Sequence, residues 1–413
     1  MEPITPLFEE NAEAEIPTPS GAGSVQTHAV AASPAEAAPV TFSTGILPAQ
    51  ELRQLIHVTR EIRASEPVLE SQVQPASLDL RLGGKAYRVR ASFLPGARAT
   101  VQEKLRDFAM HEMDITDGGV LEKGCVYIVP LLEALTLKSR MFALANPKSS
   151  TGRLDIFTRV ITDYGTEFDR IREGYKGPLY AEISPRTFSV LVRKGSRLSQ
   201  LRIRRGAPPS SDVQHKDLQQ KFRLVDRPLE PDEIRNGVPI TVDVRGESSG
   251  RIIGYKAKSH AGLVDVDRVG HYDPRDFWDP VYAPDNGTGL VLDPADFYIL
   301  ASREAVKVPP GYAAEMIAYD TLVGEFRVHY AGFFDPGFGD ASADGEGARA
   351  VLEVRSYEVP FVIEDGQVVG RLVYERLTEV PDQLYGAGLK SNYQRQGLKL
   401  SKHFKPFPAP ERR

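Results

Sequence analysis

The sequence predicts a mainly β protein made of two tandem domains of barrel or jelly-roll type, with a few short helices. Three observations point there. First, Val126 to Leu135 (Val-Tyr-Ile-Val-Pro-Leu-Leu-Glu-Ala-Leu) returns as Phe297 to Val306 (Phe-Tyr-Ile-Leu-Ala-Ser-Arg-Glu-Ala-Val), with 298 − 127 = 304 − 133 = 171. A repeat of this length means a duplicated domain rather than a solenoid unit. Second, the apolar segments are short and separated by turn residues at close intervals. Third, 413 residues is the length of two or three domains.

Residues 1–42 are rich in Ala, Glu, Pro, Ser and Thr and almost lack large apolar side chains. Such a segment cannot offset its ordering entropy by burial, and disorder is expected. Residues 43–205 form the first domain. It opens on Gly45-Ile46-Leu47-Pro48, after which Leu52, Leu55 and Ile56 mark one face of a short helix. Leu78, Leu80 and Leu82 then alternate with Asp79 and Arg81, the period of a strand. Further short strands are predicted around Val126–Val129, Phe142–Ala145, Leu179–Ile183, Phe188–Val192 and Leu198–Ile203. Residues 206–212, Gly-Ala-Pro-Pro-Ser-Ser-Asp, read as a linker. The second domain, 213–413, repeats the pattern at Ile240–Val244, Phe297–Leu300, Ala313–Ile317, Val351–Val354 and Leu372–Tyr374. Its polar, glycine-containing end, from Tyr385 to Phe404, reads as a mobile arm.

Bulk properties exclude several classes. A net charge of −5 gives no electrostatic basis for nucleic-acid binding. One cysteine, Cys125, rules out an internal disulfide and any cysteine-rich zinc site. No run approaches the roughly 18 apolar residues of a membrane span, and no secretion signal is visible. A cytoplasmic protein is expected.

Three constellations carry reactive groups. Lys148-Ser149-Ser150-Thr151-Gly152-Arg153 sets two hydroxyls between two cations, a cradle for an anion, although a solvated polar loop has the same composition. Glu182 stands among apolar strand residues, where burial would raise its pKa and suit it to proton transfer; an outward-facing strand glutamate is the plainer reading. Tyr385, Lys390, Asn392, Tyr393 and Gln396 could close over a ligand, or simply end the chain. No zinc-deaminase signature, Walker loop or dinucleotide fingerprint occurs, and the eight histidines lack paired metal spacing.

In this order the motifs resemble the dCTP deaminase branch of the dUTPase-like superfamily. Gln74 to Gly83 is similar to its N-terminal strand signature, and Lys148 to Arg153 to its Arg/Lys-Ser-Ser-x-x-Arg loop. Gly174-Tyr175-Lys176-Gly177 followed by Glu182 resembles its Gly-aromatic-x-Gly segment and catalytic glutamate. Gly195 to Leu201, containing Gln200, resembles the Gly-x-x-x-x-Gln-Leu strand, and Tyr385 with Asn392 to Gln396 the tail that covers the phosphates. The chain departs from the pattern in three places. The tail lysine is Asn392, with Lys390 as a nearby substitute. Glu167–Glu173 is an apparent insertion. The second domain keeps Phe334 to Phe338 and Glu353, which the offset pairs with Glu182 (353 − 182 = 171), but lacks the Ser-Ser-Arg loop. Glu353 is therefore expected to be a relic.

The resemblance implies two dUTPase-like domains and zinc-independent hydrolytic deamination of dCTP to dUTP and ammonia. It gives Glu182 the proton transfers, and Ser149 and Arg153 the orientation of water and stabilisation of developing charge. Lys148, Ser150, Asp163, Gln200, Tyr385, Lys390, Asn392 and Gln396 would bind substrate, with Mg²⁺ accompanying the triphosphate. It further implies dCTP and dUTP as ligands, dTTP as an inhibitor, and a homo-oligomer in a trimeric or pseudo-trimeric arrangement of domains. The rival reading is a dUTP diphosphatase or an enzyme of both activities, for which Asp163 lies near the expected aspartate. A non-catalytic nucleotide sensor is the third.

Overall fold

Leu52, Leu55 and Ile56 recur at helical spacing, and they are the buried face of the first helix, α1 (Ala49–His57), which Pro48 precedes as its N-cap. The computed structural model describes residues 41–413, apart from 209, 247–251, 285–288, 319–325, 329–331, 344–345, 357, 387–392, 395 and 409–413. Of the tail expected to be disordered, residues 1–40 lie outside the described residues. Phe42, at its far end, is held: its N–H donates to the Thr378 carbonyl at 2.6 Å.

Strand β1 (Ser77–Leu80) follows from the alternating leucines, but both of its faces are buried. Asp79 holds Lys148, and the neighbouring Arg81 pairs with buried Glu133 at 2.8 Å. A period of two therefore marks the strand here without marking a solvated face. A helix not among the sequence expectations, α2 (Val101–Phe108), is capped reciprocally by Thr100 and Glu103, the Ser/Thr-x-x-Glu signature of a helix start. Next come β2 (Val126–Thr136), β3 (Met141–Pro147), the single turn α3 (Ser149–Gly152), β4 (Ile156–Thr162), β5 (Lys176–Pro185) and β6 (Ser199–Arg205). In one sheet β4, β5, β2 and Lys85–Val89 lie side by side; in another, β3, β6 and β1 do. Both are antiparallel.

At the linker, Asp212 already belongs to a helix, α4 (Asp212–Phe222), capped by Ser211. Beyond it, β7 (Phe297–Val306), β8 (Tyr312–Ala318), β9 (Ala348–Ser356) and β10 (Val368–Arg376) rebuild the same arrangement. β9 and β7 pair beside Ile252–Ala257, and β8 and β10 beside Val238–Thr241. The offset seen in the sequence reappears strand by strand, since 297 − 126 = 312 − 141 = 171. Register is kept as well: Glu182 stands opposite Ile128, and Glu353 opposite Ile299.

Residues 39–413 form one compact unit. The two copies are tied through buried polar contacts. Arg202 on β6 is fully buried, reaching the Ala314 carbonyl and the Asp335 carboxylate, both at 3.1 Å, with its guanidinium 4.0 Å over the Phe333 ring. Removing one member of such a pair strands a buried charge, so this contact fixes how the copies face each other. The expected mobile arm is, in its described part after Gln396, a packed element. Phe404 sits 5.2 Å from Phe277 and 5.9 Å from Trp278, and the buried His403 ring contacts the Val266 carbonyl at 2.8 Å. Large apolar side chains past the polar stretch outweigh its composition. Among the described residues no helix is long and apolar enough to cross a membrane.

Candidate functional site

A cavity of about 430 Å³ opens where the first copy's α3 turn meets the inner face of β9 in the second, within the size range of small-ligand sites. Strand side chains alternate, so Val351, Glu353 and Arg355 share that face. Val351 and Glu353 line the cavity, and Arg355 pairs with Asp155, just past the turn.

Of the residues expected to act, Lys148, Ser149, Ser150, Arg153, Gln200, Tyr385 and Gln396 all line this cavity. The buried Arg153 donates to the Gln396 Oε1 and to the Lys399 carbonyl, both at 3.0 Å, and lies 3.9 Å over the Tyr393 ring. Gln396 in turn donates to the Arg349 carbonyl at 2.9 Å, and the Ser401 hydroxyl to the Ser150 carbonyl at 2.7 Å. The tail therefore clamps the loop, although 243 residues separate Arg153 from Gln396. Lys390 and Asn392 lie outside the described residues.

Glu182 is placed elsewhere. It is buried on β5, where its carboxylate accepts from Arg159 Nε at 3.1 Å and from the Ser92 hydroxyl at 2.7 Å. Arg159 is the residue directly opposite on β4, and Phe168, from the apparent insertion, covers its guanidinium at 3.4 Å. Glu182 is not among the residues that line the α3 turn's cavity. The physical reason is that groups of the first copy itself, Arg159, Ser92 and Phe168, surround Glu182, while β9 of the second copy is the strand that lines the cavity beside the loop.

The carboxylate that does meet the loop is Glu353, expected to be a relic. It is 5% exposed, and a Cβ added at Gly152 would fall 2.7 Å from its Oε2. Gly152 is therefore needed for this approach. Burial, only partly offset by the Arg153 charge, pushes the Glu353 carboxyl up to about 8. Among the described residues its side chain has no hydrogen-bond partner, which leaves it available to water or a ligand. The repeat offset was the signal that could have found it.

Asp163 is also outside the cavity. Its Oδ1 accepts from the Val101 N–H at 2.8 Å, at the start of α2, and burial raises its pKa. The polar end of the cavity carries cations instead: Lys148, which pairs with the buried Asp79 carboxylate, and Lys402. Its other wall is aromatic, with the Phe338 ring in contact with both Phe334 and Tyr385. Among the described residues no three His, Cys, Asp or Glu side chains form a metal-ligand set.

An aromatic wall, a cationic end and a buried carboxyl of raised pKa suit a heterocycle carrying phosphate whose ring undergoes proton transfer. Comparisons with known proteins agree with that chemistry. Residues 43–207 match the family model described as the 2'-deoxycytidine 5'-triphosphate deaminase N-terminal domain, and residues 211–404 match the C-terminal domain of the same family. A solved structure, 2'-deoxycytidine 5'-triphosphate deaminase from Agrobacterium tumefaciens, is similar at 55% identity and a TM-score of 0.77, over 81% of this chain and 100% of that one. A dCTP deaminase, dUMP-forming, from Corynebacterium glutamicum (strain R) is 26% identical over 47% of this chain and 96% of its own length. A dCTP deaminase from Halorubrum lacusprofundi is 29% identical over 32% of this chain and 64% of its own.

Proposed function

The chain belongs to the dCTP deaminase family, with that family's N- and C-terminal domains in tandem, and from this we propose that it converts dCTP and water to dUTP and ammonia at the cavity between its two copies. The observation that carries the proposal is the buried Glu353 carboxyl against the Lys148–Arg153 loop, one group from each copy. Each copy is proposed to be a dUTPase-like barrel.

In its ionised form Glu353 accepts a proton from water as the oxygen attacks C4 of the cytosine ring. It passes that proton to the ring nitrogen N3, then takes the remaining proton of the new C4 hydroxyl and delivers it to the amino group, which leaves as ammonia as the C4 carbonyl forms. A pKa of about 8 suits a group that must both take and give a proton near neutrality. Arg153, locked by Gln396 and Tyr393, and Ser149 orient the water and stabilise the charge that develops. Lys148 and Ser150 bind phosphate oxygens, Gln200 and Tyr385 line the nucleotide's path, and Lys390 and Asn392 keep the phosphate-covering role implied by the resemblance. Asp335 is tied to Arg202 and Glu70 to Arg53, leaving few free ligands for a resident metal. That fits an Mg²⁺ that would be brought by the triphosphate and held mainly by phosphates and waters. Its contribution is to neutralise phosphate charge. Homo-oligomerisation, a cytoplasmic location and inhibition by dTTP belong to the same proposal and rest on the family.

A second reading, deamination followed by diphosphate release, is favoured by the relatives named as dUMP-forming. The engagement of Asp163 by α2, away from the cavity, supports the first reading. Chromatography of the products from dCTP separates them: dUTP with ammonia supports simple deamination, dUMP with pyrophosphate supports the second, and unchanged dCTP overturns both.

A further inference from the structure

We propose that Lys402 is a phosphate-binding residue of this cavity, supplying the cation that the tail motif lacks at Asn392. The inference rests on the reading of the cavity as a nucleoside triphosphate site. Lys402 lines the cavity together with Lys148. Its backbone is fixed on both sides: its N–H donates to the Tyr393 hydroxyl at 3.2 Å, and its carbonyl accepts from the Gly270 N–H at 2.9 Å. The flanking residues are anchored as well, Ser401 on the Ser150 carbonyl and His403 on Val266. A side chain rooted on such a backbone starts from a fixed point on the cavity wall, so no ordering of the main chain is needed on binding.

The charges around it are unbalanced. Asp79 already holds Lys148 and has Arg197 at 3.8 Å, while Asp267 accepts from Arg193 at 2.8 Å and from Ser196 at 2.6 Å. Among the described residues Lys402 has no ion-pair partner. Burial and the charge of Lys148 hold its pKa below the usual lysine value. A half-buried cation crowded against a second one is costly unless an anion completes the site. A polyphosphate does so, because it accepts from several ammonium and hydroxyl donors at once.

The test uses the full chain and three probes: dCTP in turnover, inorganic tripolyphosphate as a competitor, and deoxycytidine as a competitor. K402M is expected to raise KM for dCTP and weaken tripolyphosphate roughly 10- to 100-fold, the range of one lost charge-assisted hydrogen bond. Deoxycytidine inhibition should stay within about threefold, and K402R should recover most of the loss. Equal weakening of all three probes would mean that Lys402 only supports the fold, and no weakening would mean that it does not bind phosphate; either overturns the proposal. K402Q carries the same expectation if K402M does not fold. Should the wild-type chain leave dCTP unchanged, calorimetry of tripolyphosphate with wild type and K402M still decides the role of Lys402, separately from the deaminase reading.

Discussion

Glu182 and Glu353 occupy the same register of two copies of one sheet, each opposite an isoleucine of the neighbouring strand, yet their surroundings differ in every respect that matters to chemistry. The first copy's glutamate is paired with Arg159, bonded by Ser92 and roofed by Phe168. The second copy's glutamate meets a glycine of the other copy's loop and has its pKa pushed up to about 8. The Lys148–Arg153 loop belongs to the first copy and the carboxylate that meets it to the second. On the proposed function, one site is assembled from parts of both copies.

The comparison can be broken at several points. The largest effect is expected from R153A, which removes the guanidinium facing Glu353: kcat for dCTP deamination should fall about 10³-fold, as for loss of a preorganised charge stabiliser. G152A places a methyl in the space used by the Glu353 carboxylate, and kcat should fall on the order of 10²-fold with folding retained. Q396A frees Arg153 from its clamp but leaves the Tyr393 stack, so steady-state kinetics should show a loss of about tenfold. R159A acts on the other side of the comparison. It leaves the buried Glu182 without its ion pair, and urea unfolding should show a loss of about 3 kcal/mol, while kcat changes little.

A subtler effect is a pH dependence of stability. Glu353 keeps its proton in the folded chain up to about pH 8, whereas the unfolded chain releases it near 4.5. Its contribution to stability is therefore complete below 4.5 and lost as pH rises through about 8. E353Q, which carries no titrating proton, should flatten that part of the stability profile in thermal unfolding between these two pH values.

Much of this was legible in the sequence. The offset of 171 reappears in the starts of paired strands, and the leucines and isoleucines at helical spacing mark α1. The loop from Lys148 to Arg153 and the tail residues Tyr385 and Gln396 do line one cavity. What could not be read was which glutamate faces the loop. That depends on Arg202 joining the copies and on Arg159 standing across the strand from Glu182, contacts between residues far apart in the chain or paired only by register. The tail misleads for a related reason: its composition is mostly polar, but His403 and Phe404 at its end are anchored against residues far away in the chain. Asp163 reads as a reactive carboxylate in the sequence because its partner, the Val101 N–H at the start of α2, lies 62 residues away in the chain.

The division of labour is tested most directly by measuring ammonia release from dCTP with E353Q and E182Q side by side, each checked for folding and nucleotide binding. E353Q should bind dCTP but turn it over about 10³-fold more slowly or worse, and E182Q should keep kcat within about threefold of wild type, since its partners are structural. The reverse pattern, with E182Q inactive and E353Q active, would contradict the account.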